Sequence, residues 1–222
     1  MPTLERHDDV FVLDLGDGEN RFHPDWIAAV NGALDEVEKA DGPRALVTAA
    51  RGKFFSNGLD LEWLGANADR HREYVVSVQE LLARVLSLPL ITVAALQGHV
   101  FAAGAMLALA HDWRVMRADR GFFCLPEVDI HIPFTYGMDA LIRCKLSPAA
   151  AVEAMTTGRR YGGHDASAVG IVTEAVDEQD VVPRAVELVR PLAGKDPATL
   201  ATIKQRMWAD VVRKLEQSEQ GF

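Results

Sequence analysis

Residues 99–107 read HVFAAGAML, a stretch with one histidine, no acid, no hydroxyl and very small side chains around Gly104. It lies inside a longer run, Leu90 to Ala110, that is apolar enough to suggest a membrane span. Pro89 before the run, the break at Gln97-Gly98-His99 and Asp112 just beyond it fit a span poorly. A short buried strand (LITVAAL, 90–96), a turn and a buried helix (AAGAMLALAHD, 102–112) fit better. Side chains this small, where a strand passes into a helix, let a ligand approach the backbone closely.

Working outward, VFVLDL (10–15) reads as a strand and GDGEN (16–20) as a turn. From Pro24 a helical period begins, with Trp26, Ile27, Val30, Leu34 and Val37 recurring at steps of three and four. Gly42-Pro43 ends it and ALVTA (45–49) reads as the next strand. The polar ARGKFFSNGLDLEW (50–63) forms a loop that enters a helix reaching from Leu61 to about Tyr74, and 75–86 forms a second amphipathic helix. Beyond the central run, WRVM (113–116) and GFFCL (121–125) read as short strands. The chain is then mostly helical, over 149–157, 182–192 and 197–215. Strands alternating with helices, followed by helices alone, predict an α/β fold with a largely parallel sheet.

The 222 residues, 49% hydrophobic and 25% charged, suit one large domain or two small ones with a substantial core. A formal net charge of −9 argues against nucleic acid or an anionic membrane surface as the main partner. A local basic pocket for a phosphorylated small molecule stays compatible with it. Cys124 and Cys144 lie among apolar residues and read as core thiols, and no histidine has metal-ligand spacing. His99, in its apolar run, reads as a satisfied core histidine. The charged start MPTLERHDDV lacks a signal region and the final Gln-Gly-Phe matches no simple peroxisomal ending, so a cytoplasmic location is expected.

Two segments read as anion-stabilising turns. SNGLDL (56–61) places Gly58 at a tight turn before a helix, and FAAGA (101–105) passes from strand to helix. Free N–H groups at such places can bind a developing negative oxygen. Each segment alone is equally a turn, or a set of small residues at a helix contact.

Together, FFSNGLDL (54–61), LPLITVAALQGHVFAAGAMLALAHDWRVM (88–116), FFCLPEVDIHIPF (122–134) and TTGRRYGGHDASAVGIVTEAV (156–176) resemble the enoyl-CoA hydratase/isomerase (crotonase) superfamily. The resemblance implies a ClpP/crotonase-like spiral of β-β-α units with C-terminal trimerisation helices. It divides the chain into a core at 1–190 and a helical segment at 191–222 that packs on the core or on a neighbouring subunit. It also implies an acyl-CoA thioester as partner, a homotrimer or a dimer of trimers, and no cofactor beyond the coenzyme A that enters with the substrate. The thioester oxygen would be held by the backbone N–H groups of Leu59 and Ala103.

Hydratases of the superfamily use two glutamates. The first would fall at Met106, which can neither take nor give a proton; the second falls at Glu127. A single carboxylate suffices to move a double bond, since it can remove a proton from one carbon and return it to another. FSNGLDL and GFFCLPEVDI are also similar to single-glutamate 3-enoyl-CoA isomerases. The expected activity is therefore conversion of 3-enoyl-CoA to trans-2-enoyl-CoA in fatty-acid oxidation, with Glu127 as proton shuttle. A hydratase or other crotonase-type enzyme assisted by Asp129 or His131, and a non-catalytic acyl-CoA binder, are the alternatives. Arg51 and Lys53, before the first turn, and Lys204 in the last helix are the candidate partners of the coenzyme A phosphates. Asp60 reads as a helix cap, and Glu127 taken alone would read as a surface carboxylate at a strand end.

Overall fold

The computed structural model describes residues 1–217. The chain opens with β1 (Thr3–His7), β2 (Val10–Asp14) and α1 (Pro24–Lys39), followed by β3 (Ala45–Ala49), β4 (Phe54–Ser56), α2 (Leu61–Ala66) and α3 (His71–Ser87). The central run supplies β5 (Thr92–Leu96), β6 (His99–Phe101) and α4 (Ala103–Ala110). After it come β7 (Trp113–Arg117), β8 (Phe123–Cys124), α5 (Tyr136–Lys145), α6 (Pro148–Thr157) and α7 (Gly163–Ala168). The remaining elements are β9 (Glu174–Val176), α8 (Val181–Val189) and α9 (Pro197–Glu216).

These elements repeat one move. β3, β5 and β7 each enter a large sheet of order β1-β2-β3-β5-β7-β9, parallel except for the β1–β2 pair. The strand after each of them, β4, β6 and β8, enters a small all-parallel sheet of that order, and the chain then turns into a helix. The result is the crotonase spiral of β-β-α units. Every residue of β3 and β5 is buried, as expected of parallel strands covered on both faces. Val47, Val93, Ala95 and Val115 meet Ala185 and Val189 of α8, whereas Leu46, Ala94, Leu96 and Met116 face the main core with α1, α3 and α4. This alternation is the period of two that a strand imposes.

All eight residues of α4 are buried, which explains why the central run is apolar on every side. Burying Leu107 and Leu109 alone contributes about 1.5–3 kcal/mol each. His111 closes the helix fully buried, its ring nitrogens 2.8 Å from Leu107 O and from Thr48 Oγ1. Burial pushes its pKa down to about 4, so it stays neutral. Among the described residues no helix is long and apolar enough to cross a membrane.

Several sequence expectations need adjustment. The turn after LITVAAL contains a strand, β6, and GFFCL shrinks to Phe123–Cys124. The helix expected from Leu61 to about Tyr74 breaks at Asn67 and passes through a 3-10 turn at Ala68–Arg70 before α3. Cys124 is buried, but Cys144 is exposed on α5. His99 is half-buried among the rings of Phe54, Phe101 and Phe122, and its Nδ1 is buried without a hydrogen-bond partner. The Gln-Gly-Phe ending lies outside the described residues.

Candidate active site

The small sheet delivers three chain segments to one place. Its strands run parallel, so the turns that leave β4, β6 and β8 emerge at the same edge. Leu59 lies three residues beyond β4, Ala103 two beyond β6 and Glu127 three beyond β8. All three line one cavity of about 250 Å³. Ligands of parallel α/β sheets bind at this carboxyl end for the same geometric reason.

In the first segment nearly every amide is engaged. Asn57 N–H donates to Glu19 O at 2.9 Å, Gly58 N–H to Ser56 Oγ at 3.1 Å and Asp60 N–H to Tyr74 Oη at 2.8 Å. Leu59 N–H, between them, has no acceptor among the described residues. Gly58 turns the chain with φ of 82°, and Asp60 caps α2 by accepting from Trp63 N–H at 3.0 Å.

The second segment behaves alike. Ala102 N–H donates to Cys124 O at 3.1 Å, and the amides of Ala105 and Met106 reach Ala102 O. Ala103, at the first position of α4, has an N–H without an acceptor among the described residues, as helix starts do. Ala102 adopts φ 51° and ψ −125°, a conformation that an L-residue enters only with strain. Gly104 lets α4 rest directly on β4, because a Cβ there would lie 2.7 Å from Ser56 Cβ. A Cβ on Gly58 would lie 3.0 Å from Ala103 N, so the two segments abut. Their two unclaimed amides form a pair of fixed donors.

Glu127 stands in the turn after β8, not at an exposed strand end, and is only 6% exposed. Its Oε2 is buried without a hydrogen-bond partner among the described residues. Burial pushes its pKa up to about 7, against a weaker downward pull from its own backbone amide. Such a carboxyl exchanges protons readily near neutrality. The cavity wall around it is mostly apolar and includes Met106 and Met138.

The other sequence candidates lie elsewhere. Asp129 and His131 are exposed and do not line the cavity; the Asp129 carboxylate lies beside Gly158, and His131 turns the loop with φ of 59°. Arg51 pairs with Asp14 at 2.5 Å, and exposed Lys53 stands 5.2 Å from the centre of the Phe54 ring. Lys204 is buried, not free for a phosphate, with Nζ 2.7 Å from Asp112 Oδ2 and 2.8 Å from Leu90 O. Sequence reasoning missed Arg21 and Asn57, which both line the cavity and share Glu19 as partner. The turn GDGEN ahead of Arg21 marks a loop, but nothing in it announces the cavity. Among the described residues no cluster of three metal-ligating side chains occurs.

Fold and site together define an α/β enzyme scaffold in which Leu59, Ala103 and one buried carboxyl, Glu127, line a common cavity. Residues 5–221 match the family model described as enoyl-CoA hydratase/isomerase. The chain belongs to that family. It is 43% identical over 208 residues to enoyl-CoA delta isomerase 2, peroxisomal, of Arabidopsis thaliana, covering 88% of this chain and 86% of the relative. A solved structure of an enoyl-CoA isomerase from Mycobacterium tuberculosis superposes with a TM-score of 0.89 at 29% identity, covering 98% of this chain and 95% of that one. Human mitochondrial delta3-delta2-enoyl-CoA isomerase, 24% identical, shares the fold with a TM-score of 0.89 over 96% of this chain and 85% of its own.

Proposed function

We propose that this protein isomerises 3-enoyl-CoA to trans-2-enoyl-CoA in fatty-acid oxidation. The observation that carries the reading is one buried carboxyl, Glu127, whose Oε2 has no hydrogen-bond partner among the described residues, in the same cavity as two backbone amides without acceptors there. The thioester oxygen accepts from Leu59 N–H and Ala103 N–H. Ionised Glu127 removes a proton from C2, and the electron pair spreads over the dienolate, whose negative oxygen the two amides stabilise. Protonated Glu127 then returns the proton to C4, leaving the double bond between C2 and C3. Loss of a single such donor costs about 2.7–4 kcal/mol of transition-state stabilisation in other enzymes, so the pair is a large part of the expected rate.

Hydration needs a second group to handle water. Met106 cannot serve, and Asp129 and His131 do not reach the cavity, so the single-acid reaction has the stronger support. Arg21 is the cation that the cavity itself supplies for a phosphate or pantetheine oxygen of coenzyme A. Homotrimeric assembly, or a dimer of trimers, belongs to the proposal, as does a chain division after residue 190, with α9 packing on the core through Val211 and Leu215. The exposed Ile203 and Met207, one turn apart on α9, favour subunit contacts there. A cytoplasmic location completes it, and cell fractionation decides between that and the peroxisome named for two Arabidopsis relatives.

The test is turnover of 3-hexenoyl-CoA to the 2-enoyl thioester, with crotonyl-CoA hydration measured in parallel. Isomerisation without comparable hydration is the expected result. Tight acyl-CoA binding with neither turnover would make the protein a non-catalytic binder.

A further inference from the structure

We infer that Ser56 is the positioning residue that fixes the two donor amides relative to each other. This rests on the reading of Leu59 and Ala103 as the thioester-oxygen site. Ser56 is fully buried at the end of β4 and touches both halves of that site. Its hydroxyl donates to Asn20 O at 2.7 Å and accepts from Gly58 N–H at 3.1 Å. A serine hydroxyl has one proton, so commitment of that proton to Asn20 leaves an oxygen lone pair for Gly58. The Asn57–Gly58 peptide is thereby held in one orientation, and the next peptide, which carries Leu59 N–H, has its Gly58 carbonyl accepting from Phe22 N–H at 2.9 Å.

Asn20 is itself anchored. It is buried in a left-handed conformation, with φ of 49°, and its side-chain nitrogen reaches the carbonyls of Gly16, Phe54 and Phe55 at 3.0–3.3 Å. On the other side, Ser56 is the surface on which Gly104 sits: its Cβ, carbonyl oxygen and Oγ all lie 2.7–2.8 Å from the point where a Gly104 Cβ would stand. One side chain therefore bonds to the residue before Leu59 and packs on the residue after Ala103. A shift of Gly58, next to one donor, or of Gly104, next to the other, therefore moves against Ser56.

The test uses 4-(dimethylamino)cinnamoyl-CoA, whose absorbance moves to the red as its carbonyl accepts stronger hydrogen bonds. The wild-type enzyme is compared with Ser56→Ala, Ser56→Cys and Glu127→Gln, each saturated with the probe. Wild type and Glu127→Gln are expected to give the full red shift. Ser56→Ala should lose at least half of it, with kcat for 3-hexenoyl-CoA falling about 10–100-fold and KM changing less than about threefold. Ser56→Cys, nearly isosteric but a weaker hydrogen-bonding group, should fall between, and it carries the test if the alanine variant does not fold. A purely structural serine would lower Tm without changing the shift per bound probe, and that result overturns the inference. A wild-type enzyme that binds the probe with no red shift overturns the amide-pair reading itself, and this inference with it.

Discussion

An ordinary glutamate is ionised at neutral pH and a weak base; Glu127 is made a stronger one by removing its water. With a pKa raised to about 7, it should give a pH–rate profile in which kcat/KM for 3-enoyl-CoA falls as pH drops below about 7. Glu127→Gln should lower kcat by at least about 1,000-fold while acyl-CoA binding persists, measured by turnover and by calorimetric titration. The same burial predicts a stability effect of defined sign. The folded carboxyl binds its proton more tightly than the unfolded one, so the contribution of Glu127 to stability declines as pH rises from about 4.5 to about 7 and is level above. At pH 8 Glu127→Gln should therefore be more stable than wild type by about 3 kcal/mol, and the two should converge below about pH 4.5. Denaturant melts at the two pH values check this. A neutral amide that matched wild type at pH 8 would show that the carboxylate is better solvated than its burial implies.

At the scale of the element, the first turn of α4 carries opposite demands. Ala102 holds a conformation suited to glycine, and such strain costs on the order of 1–3 kcal/mol. Ala102→Gly should therefore raise stability by about 1 kcal/mol, read as a higher Tm, since the relief outweighs the added freedom of the unfolded chain. Gly104→Ala should do the reverse. Its Cβ meets Ser56 at 2.7 Å, so α4 must back away from β4, with a loss of about 1–3 kcal/mol and of most activity. The strand-to-helix passage in HVFAAGAML was legible in the sequence, because eight consecutive small or apolar residues fit only a helix buried all round. The small sheet was not legible. Strands of two or three residues are too short to show an alternating pattern, and β6 hid inside what read as a turn. Asn20 and Arg21 escaped for a different reason. Asn20 bonds to residues 34 and 35 positions away, and Arg21 reaches the cavity only once β4 is in place.

Across the whole molecule, α9 is tied to the sheet by a buried cation. Lys204 bonds to Asp112, which in turn accepts from the N–H and hydroxyl of Thr92 at the start of β5. Lys204→Ala strands that carboxylate and should destabilise the fold by about 3 kcal/mol, seen in thermal melts, while leaving KM for acyl-CoA within about twofold. A phosphate-binding role would give the opposite pattern, a raised KM and an unmoved Tm. The resemblance that pointed to Glu127, Leu59 and Ala103 named positions that each follow a strand of the small sheet and line one cavity. It misled at Lys204 because a basic residue at a matching helix position says nothing of which way its ammonium turns.

The donors that face the cavity are main-chain groups, and this bears on how such a protein can change over generations. A single base change can erase an acid such as Glu127, whereas nearly every change at Leu59 or Ala103 leaves the peptide N–H in place. Proline is the one replacement at Leu59 or Ala103 that would remove the donor. In the proposed mechanism the hold on a thioester oxygen is thus shielded from nearly all mutation at those two codons, whereas the proton-transfer group stays freely exchangeable. A lineage built on this frame can swap one reaction for another without first losing its grip on the substrate.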